Sequence, residues 1–193
     1  MHYDDIQQTL ITERLCLRLF DESDAATVTE LCNNYNIYKS TLTLPYPYTL
    51  DCALSWIQYH RQNFEKGKHY EFAICNRAAG TLYGAVALSC DHRYDHGEIA
   101  YWIGEAYWGK GYATEASQAM FDFAFHVKKY HKVYGRHFAS NPASGKVLQK
   151  IGMNQEGVLM DHVKKEGQYE NLDLLWNCKK RIGLNAAYDF SGL

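Results

Sequence analysis

The sequence predicts one α/β domain of the α+β type, in which a mixed, mostly antiparallel, twisted sheet of about seven strands is flanked by about four helices. A chain of 193 residues with 47% hydrophobic residues is long enough for one globular core. Three β-rich segments follow one another with short turns between them, which favours antiparallel neighbours. Helical periodicity then separates the later strands. We assign residues 1–182 to this domain and residues 183–193 to a loose C-terminal tail.

The first half of the chain predicts a strand, two helices and three strands. Leucines alternate with polar residues in RLCLRLF, and Asp21 or Ser23 is placed to cap the helix in DESDAATVTELCNN. An aromatic loop follows in NYNIYKSTLTLPYPYTL. Residues 51–66 then have apolar side chains at helical spacing and stop at Gly67. The three strands are YEFAICN, LYGAVALSC and GEIAYWIG.

The second half predicts two more helices and three more strands. A glycine-containing loop precedes a helix over residues 114–129, and the strand KVYGRHFA comes next. A short helix follows in NPASGKVLQKIG, with Asn141 as its cap, Pro142 at its first position and Gly152 just beyond its end. The last two strands, GVLMDHVKK and ENLDLLWNC, predict a hairpin.

Composition and charge exclude several function classes. A net charge of -2 and a pI near 6.5 argue against a nucleic-acid partner held by a general basic field. The six cysteines form no C-x-x-C pair, and the first residues lack the pattern of a signal peptide, so we expect reduced thiols and a cytoplasmic protein. No segment approaches the roughly 18 apolar residues of a membrane helix, so no membrane association is predicted. Both a monomer and a homodimer stay open.

The stretch YWGKGYATEA places two glycines directly ahead of a helix. The main-chain N–H groups of residues 109–113 can converge on one anion there, assisted by the helix dipole. Glycine lets a phosphate approach the amides and permits unusual backbone angles. Neither G-x-x-x-x-G-K-[ST] nor G-x-G-x-x-G is present, which argues against nucleoside triphosphates and dinucleotides. A tight strand-to-helix turn without a ligand is the alternative interpretation.

The residues AYWGKGYATEA resemble the pyrophosphate-binding loop of the GNAT superfamily of acyl-CoA-dependent N-acyltransferases. The chain is similar in particular to the ribosomal-protein N-terminal acetyltransferases, through TERLCLRLF, GEIAYWIG, an N-x-x-S motif, KIGM and EGVL. This similarity runs over about residues 12–178. It implies acetyl-CoA as the cofactor and an amine as the acceptor. Trp108 stands where the superfamily usually has Gln or Arg, which leaves the amide cradle intact.

The resemblance also implies which residues hold acetyl-CoA. The strand before the loop is expected to separate from its neighbour, so that its free main-chain groups bind pantetheine and polarise the thioester. Lys110 is expected near the 3′-phosphate, although an exposed loop lysine is often only solvated. Asn141 is assigned to the pantetheine arm, with a helix cap as the alternative. The implied cofactor-binding residues are Ile99, Tyr101, Trp102, Ile103, Trp108, Gly109, Lys110, Gly111, Tyr112, Ala113, Thr114, Asn141 and Ser144.

Two side chains are candidates for the chemistry. Glu98 corresponds to the position where many members of the superfamily have a general base, which often acts through water. The alternative is that Glu98 is an ordinary edge or surface carboxylate. Leu148 occupies the position where many members have a tyrosine acid, so the resemblance assigns stabilisation of the leaving thiolate to Ser144. The alternative for Ser144 is a structural role at the third position of its helix, where it only satisfies a free main-chain amide.

Acceptor specificity is expected from the two-helix region and the last hairpin. The candidate residues are Tyr35, Tyr38, Tyr46, Glu71 and Asp161, with Tyr48, His162, Glu166 and Glu170 nearby in the sequence. Aromatic and acidic side chains suit a cationic peptide or polyamine, although tyrosines also fill cores. An α-amine is favoured because losing its proton at neutral pH requires about 1 kcal/mol, against roughly 4 kcal/mol for a lysine side chain.

Three functional alternatives follow from these residues: acetylation of a protein N-terminus, acetylation of a small amine such as a polyamine or antibiotic, and a non-catalytic acyl-CoA-binding module. A metal enzyme is not among them. Asp91, His92, Asp95 and His96 fall in a predicted turn between strands, where the four-residue spacing of the histidines does not place them on one face.

Overall fold

The computed structural model describes residues 1–178, so the predicted tail and residues 179–182 lie outside the described part. Nine strands form one sheet. They are β1 (His2–Asp4), β2 (Thr9–Ile11), β3 (Leu15–Leu19), β4 (His69–Asn76), β5 (Leu82–Asp91), β6 (His96–Ile103), β7 (Lys132–Phe138), β8 (Asn154–Lys165) and β9 (Gln168–Cys178). Their order is β1-β2-β3-β4-β5-β6-β7-β9-β8, and only β6 and β7 pair in parallel.

The mixed sheet and the seven predicted strands are confirmed as β3 to β9. The prediction missed β1 and β2, which pair with each other and extend the sheet beyond β3. Each has only three residues, too few to show an alternation of apolar and polar side chains. The predicted turn between β5 and β6 is present at residues 92–95.

The described residues contain six α-helices: α1 (Ala25–Cys32), α2 (Tyr35–Ser40), α3 (Leu50–Ile57), α4 (His60–Glu65), α5 (Tyr112–Asp122) and α6 (Pro142–Lys150). No helix in this part of the chain is long and apolar enough to cross a membrane. Of the two predicted caps, Asp21 and Ser23, it is Asp21 that caps, on a short 3-10 turn that leads into α1. The predicted cap of α6 at Asn141 and the left-handed Gly152 after it are confirmed.

Three helix boundaries differ from the prediction. The helix predicted over residues 51–66 is divided into α3 and α4, and the turn between them places His60 in a buried position beside Trp56. The short α2 lies inside the predicted aromatic loop, where the Asn34 side chain accepts from the amide of Ile37 at 3.3 Å. The helix predicted over 114–129 begins at Tyr112, and its last turn is a π-helix over Phe123–Val127.

Both faces of the sheet are covered. On one face, α5 packs against Phe72, Val86 and Ile99 through Met120 and the adjoining Phe123. On the other face, residues of α1 and α3 cover Ala73, Ala85 and Trp102. The middle of the sheet is therefore a rigid support for the strand ends and for the N-termini of α5 and α6.

The parallel pair β6–β7 is open over most of its length. Its registered partners are His96 with Lys132, Gly97 with Val133, and Glu98 with Tyr134, and the pairing stops there. On its other side, β6 stays paired with β5 as far as Ile103. The predicted separation of this strand from its neighbour is thus confirmed, and the main-chain groups of β6 that point away from β5 are left without a strand partner beyond Glu98.

We predict that Gly84→Ala destabilises the protein by about 1–3 kcal/mol, because an added methyl group in a close-packed site forces the backbone apart. A Cβ on Gly84 would lie 2.1 Å from the carbonyl oxygen of Trp102. Gly157→Ala is the matched control, since no heavy atom lies within 4 Å of its added Cβ. Urea unfolding followed by circular dichroism measures both. Equal stability of the two variants would contradict the close approach of β5 and β6.

Candidate active site

The glycine loop presents unused amides at the start of α5. Gly109 has φ 74° and Gly111 has φ 81°, which is the left-handed region that favours glycine. Among residues 1–178, no internal hydrogen bond uses the amides of residues 109–113, and the first bond of α5 runs from Glu115 to the carbonyl of Gly111 at 3.0 Å. These amides are thus free to donate, as the predicted anion cradle requires.

Trp108 departs from the predicted cradle. Its amide donates to the Glu105 carbonyl at 3.1 Å. Its indole Nε1 donates to the Ile103 carbonyl at 2.6 Å. The free amides therefore begin at Gly109, because the turn before the loop already uses the one at Trp108.

Arg14 fixes the loop from the β2–β3 turn. Its guanidinium donates to the Lys110 carbonyl at 3.0 Å and to the Glu115 carboxylate at 2.7 Å. Thr12 donates to the same carboxylate at 2.6 Å. Burial acts to raise the pKa of Glu115, but the hydrogen bonds from Thr12 and Arg14 outweigh it and hold that pKa below its ordinary value. The carboxylate stays ionised, so the loop is tied to the body of the protein.

A cleft of about 420 Å³ opens beside this loop. Most of the predicted cofactor residues line it: Tyr101, Trp102, Ile103, Trp108, Gly109, Gly111, Tyr112, Ala113, Thr114, Asn141 and Ser144. Two predicted residues do not. Ile99 is 2% exposed in the core. The Lys110 ammonium turns back to the Ala106 carbonyl at 3.0 Å.

The prediction missed one side of this cleft. Ile37, Ser40 and Thr41 border it from α2 and the residue after it. Lys146 and Lys150 border it from α6, and no carboxylate does so among the residues that the structure describes. Because residues four apart lie on one face of a helix, the spacing of these lysines could have predicted that both border the same side of α6. Together with the free amides, these lysines make the cleft favourable for an anion such as a diphosphate.

Tyr101 brings a phenol to Ser144. Its hydroxyl donates to the Ser144 carbonyl at 2.8 Å, and the two hydroxyl oxygens are also 2.8 Å apart. Burial raises the pKa of Tyr101 to about 12, although the hydrogen bond with Ser144 acts in the opposite direction. At neutral pH the phenol is therefore a hydrogen-bond donor. Leu148, which replaces the expected tyrosine, lies in the core at 1% exposed, and the phenol near Ser144 comes from β6 instead.

Asn141 makes its helix cap with its side chain. Its Oδ1 accepts from the amide of Ser144 at 3.3 Å, and its Nδ2 lies 3.5 Å from the Ser40 carbonyl. The cap therefore uses the side-chain oxygen of Asn141. A contact between Asn141 and a cofactor would then have to come from its Nδ2 group. This residue also connects α6 to α2 across the cleft.

Glu98 lies on the opposite face of β6 from Tyr101, because side chains alternate along a strand. Arg136 donates to its two carboxylate oxygens, from Nε at 2.7 Å and from a terminal nitrogen at 2.9 Å. Glu98 does not line the cleft, but it stands where β6 and β7 begin to separate. The predicted base is thus part of a bidentate ion pair that the sequence did not indicate.

The predicted acceptor residues divide into one cluster and two separate positions. The rings of Tyr35, Tyr38 and Tyr46 contact one another, with centroids 5.5–5.9 Å apart. Glu71 lies on another part of the sheet, where its carboxylate contacts Nε2 of the buried His60. Asp161 is exposed at an irregularity in β8, where its amide donates to Asn171 at 2.8 Å.

Three further residues that lay near the candidates in the sequence also have defined places. Tyr48 is buried at 3% exposed, so it belongs to the core. Glu166 accepts from the Tyr35 hydroxyl at 2.9 Å, and Glu170 accepts from Ser140 at 3.1 Å. The structure therefore brings the tip of the β8–β9 hairpin, at Glu166, to the three tyrosines.

Comparison with known proteins identifies the family. A family model described as an acetyltransferase (GNAT) domain matches residues 14–154. The chain belongs to the GNAT acetyltransferase family. This GNAT acetyltransferase is 32% identical over 130 residues to the probable N-acetyltransferase YjcK of Bacillus subtilis (strain 168), which covers 66% of this chain and 72% of that protein.

Solved structures share the fold of this GNAT acetyltransferase. RimL, a ribosomal L7/L12 alpha-N-protein acetyltransferase in complex with coenzyme A, aligns with a TM-score of 0.80 at 18% identity, over 88% of this chain and 97% of that one. A chimera of the spermidine N-acetyltransferase SpeG from Vibrio cholerae and hSSAT aligns with a TM-score of 0.74 at 19% identity, over 88% and 98%. At these identities the likeness establishes the fold alone.

We predict that Asn141→Ala lowers the free energy of unfolding by about 1 kcal/mol, because it removes the side-chain acceptor of the Ser144 amide. That amide then keeps only the main-chain carbonyl of residue 141, at 3.2 Å. Asn141→Asp keeps an oxygen at the same place and is the matched control. Thermal and urea unfolding measure both variants. Equal stability of the alanine and aspartate variants would show that the side chain does not cap α6.

Proposed function

We propose that this GNAT acetyltransferase transfers the acetyl group of acetyl-CoA to the α-amine of a protein N-terminus in the cytoplasm. The observation that carries the proposal is the free amides of residues 109–113 beside the open edge of β6. An anion cradle next to unpaired strand groups suits a ligand that combines a diphosphate with an amide-containing arm. The cleft thus fits the parts of coenzyme A without any further group.

Each wall of the cleft has a separate task in this proposal. The amides of the loop bind the diphosphate, and Lys146 and Lys150 attract the remaining phosphate charge. The free main-chain groups of β6 beyond Glu98 bind the pantetheine amides and one of them polarises the thioester carbonyl. Acetyl-CoA supplies an acyl group already activated as a thioester.

The two faces of β6 divide the proton chemistry. On one face, Glu98 accepts the proton of the attacking amine through water, while Arg136 keeps the carboxylate oriented. On the other face, the Ser144 hydroxyl donates a hydrogen bond to the departing thiolate. In this step Tyr101 is a positioning residue: its phenol, which stays protonated with a pKa of about 12, donates its one proton to the Ser144 hydroxyl oxygen instead of the Ser144 carbonyl.

A base that acts only through water favours an α-amine as the acceptor. Both oxygens of Glu98 already accept hydrogen bonds from Arg136, and Glu98 does not line the cleft. An α-amino group with a pKa near 8 needs only about 1 kcal/mol to lose its proton at neutral pH. A small polyamine is the second candidate, because the tyrosine cluster beside the cleft already holds the ammonium group of Lys165 at 3.8 Å from the Tyr38 ring.

We predict that Lys146→Ala and Lys150→Ala each weaken the binding of coenzyme A by about three- to tenfold, as expected for one partly solvated ion pair. Their effect on 3′-dephospho-coenzyme A should be smaller. Isothermal titration calorimetry measures both ligands. Lys66→Ala, at an exposed lysine outside the cleft, is the control. A larger loss for Lys110→Ala than for either α6 variant would contradict this assignment.

We predict that Ser144→Ala lowers kcat by on the order of tenfold or more, because it removes a donor to the developing thiolate. Tyr101→Phe should lower kcat by about two- to tenfold, the worth of one hydrogen bond. Thiol release from acetyl-CoA is measured with N-terminal peptides, polyamines and aminoglycosides. The affinity for coenzyme A should change little in either variant.

Binding of acetyl-CoA without turnover of any amine would instead support the non-catalytic module. Turnover of polyamines but not of peptides would replace the proposed acceptor with the second candidate. Unchanged kcat in Ser144→Ala would remove Ser144 from the mechanism and leave the cofactor site intact.

A further inference from the structure

The tip of the last hairpin places a lysine on the tyrosine cluster. Glu166 and Gly167 form the turn between β8 and β9, with φ values of 50° and 82°. Just before this turn, the Lys165 ammonium lies 3.8 Å from the centroid of the Tyr38 ring. The same ammonium donates to the Thr41 carbonyl at 2.8 Å. An ammonium that faces both an aromatic ring and a carbonyl oxygen is in a typical cation-binding environment.

Neighbouring groups complete this environment. Tyr35 and Tyr46 pack against Tyr38, with ring centroids 5.9 and 5.5 Å from it. Tyr35 donates to the Glu166 carboxylate at 2.9 Å, which places a negative charge beside Lys165. Burial lowers the pKa of Lys165, with Glu166 acting in the opposite direction, so the ammonium is partly removed from water. Adjacent Lys164, by contrast, is exposed.

This cation site adjoins the catalytic cleft. Thr41, whose carbonyl binds Lys165, also lines the cleft together with Ser40. The Ser40 carbonyl lies 3.5 Å from the side-chain nitrogen of Asn141, the cap of the helix that carries Ser144. A molecule that presents one amine in the cleft could therefore reach the tyrosine cluster with a second group.

We propose that Tyr38, Thr41 and Glu166 form a site for a primary ammonium group, which Lys165 fills when no acceptor is bound and which selects acceptors that carry a second positive group. This inference rests on the proposed function and specifies its substrate class. The second cation is either a lysine side chain near the N-terminus of a peptide or the far amine of a polyamine. In both cases the acceptor ammonium displaces that of Lys165.

The test compares acceptors that differ only in the second charge. One arm uses peptides with lysine or norleucine at the second, third or fourth residue, and the other uses diaminobutane and butylamine. We expect kcat/KM to be about 3- to 30-fold higher for the dicationic member of at least one pair, the range of a partly desolvated cation–π contact. The arm that shows the preference identifies the source of the cation.

Variants assign the preference to this site. Tyr38→Leu should reduce it to within about twofold, whereas Tyr38→Phe keeps the ring and should retain it. Lys165→Met removes the internal occupant and should increase the preference through a lower KM for the dicationic acceptor. Lys164→Met is the matched control and should change nothing.

Equal kcat/KM within every pair, or a preference that survives Tyr38→Leu, would overturn the ammonium site. So would an equal loss of turnover for all acceptors in Lys165→Met, since Lys165 would then only fasten the hairpin. These outcomes leave the proposed function standing. The absence of thiol release with every acceptor, in wild-type protein that binds acetyl-CoA, would reject the proposed function itself.

Discussion

The incomplete pairing of β6 with β7 is the constraint on which the rest of the site depends. Each strand keeps its other neighbour, because β6 is bonded to β5 and β7 to β9 along their lengths. The opening therefore leaves unpaired only the edges that β6 and β7 turn toward each other. On the β7 side, α6 approaches so closely that a Cβ on Gly145 would lie 2.5 Å from the His137 ring. A rigid helix start and a free strand edge thus face each other.

Most of the proposed cofactor site consists of main-chain groups. Two glycines with positive φ turn the loop so that consecutive amides lie at the start of α5, and Arg14 connects the Lys110 carbonyl of the loop to the Glu115 carboxylate. Side chains contribute mainly charge, through Lys146 and Lys150, and a polar pair, Tyr101 and Ser144. The division is physically sensible, since backbone amides are fixed by the fold and lose little entropy when an anion binds.

The proposed acceptor side is assembled from segments that are far apart in the chain. The short helix α2 and the hairpin tip meet through the hydrogen bonds Tyr35–Glu166 and Lys165–Thr41, which span 131 and 124 residues, and through the contact of Lys165 with the Tyr38 ring. These contacts are few and partly exposed, so this region opens at a lower free energy than the sheet beneath it. The proposed cofactor cleft is therefore more stable than the proposed acceptor surface beside it.

The sequence by itself determined the seven longer strands, the caps of α6 and of the 3-10 turn before α1, and the glycine loop, because alternation, helical spacing and capping are local properties of neighbouring residues. Family resemblance added the expectation that Ser144 lies near the sulfur. Tertiary structure decided the partners: Tyr101 with Ser144 across 43 residues, Glu98 with Arg136 across 38, and Lys165 with Thr41 across 124. Such contacts depend on strand order and register, and no local pattern specifies which distant side chains a sheet will bring together.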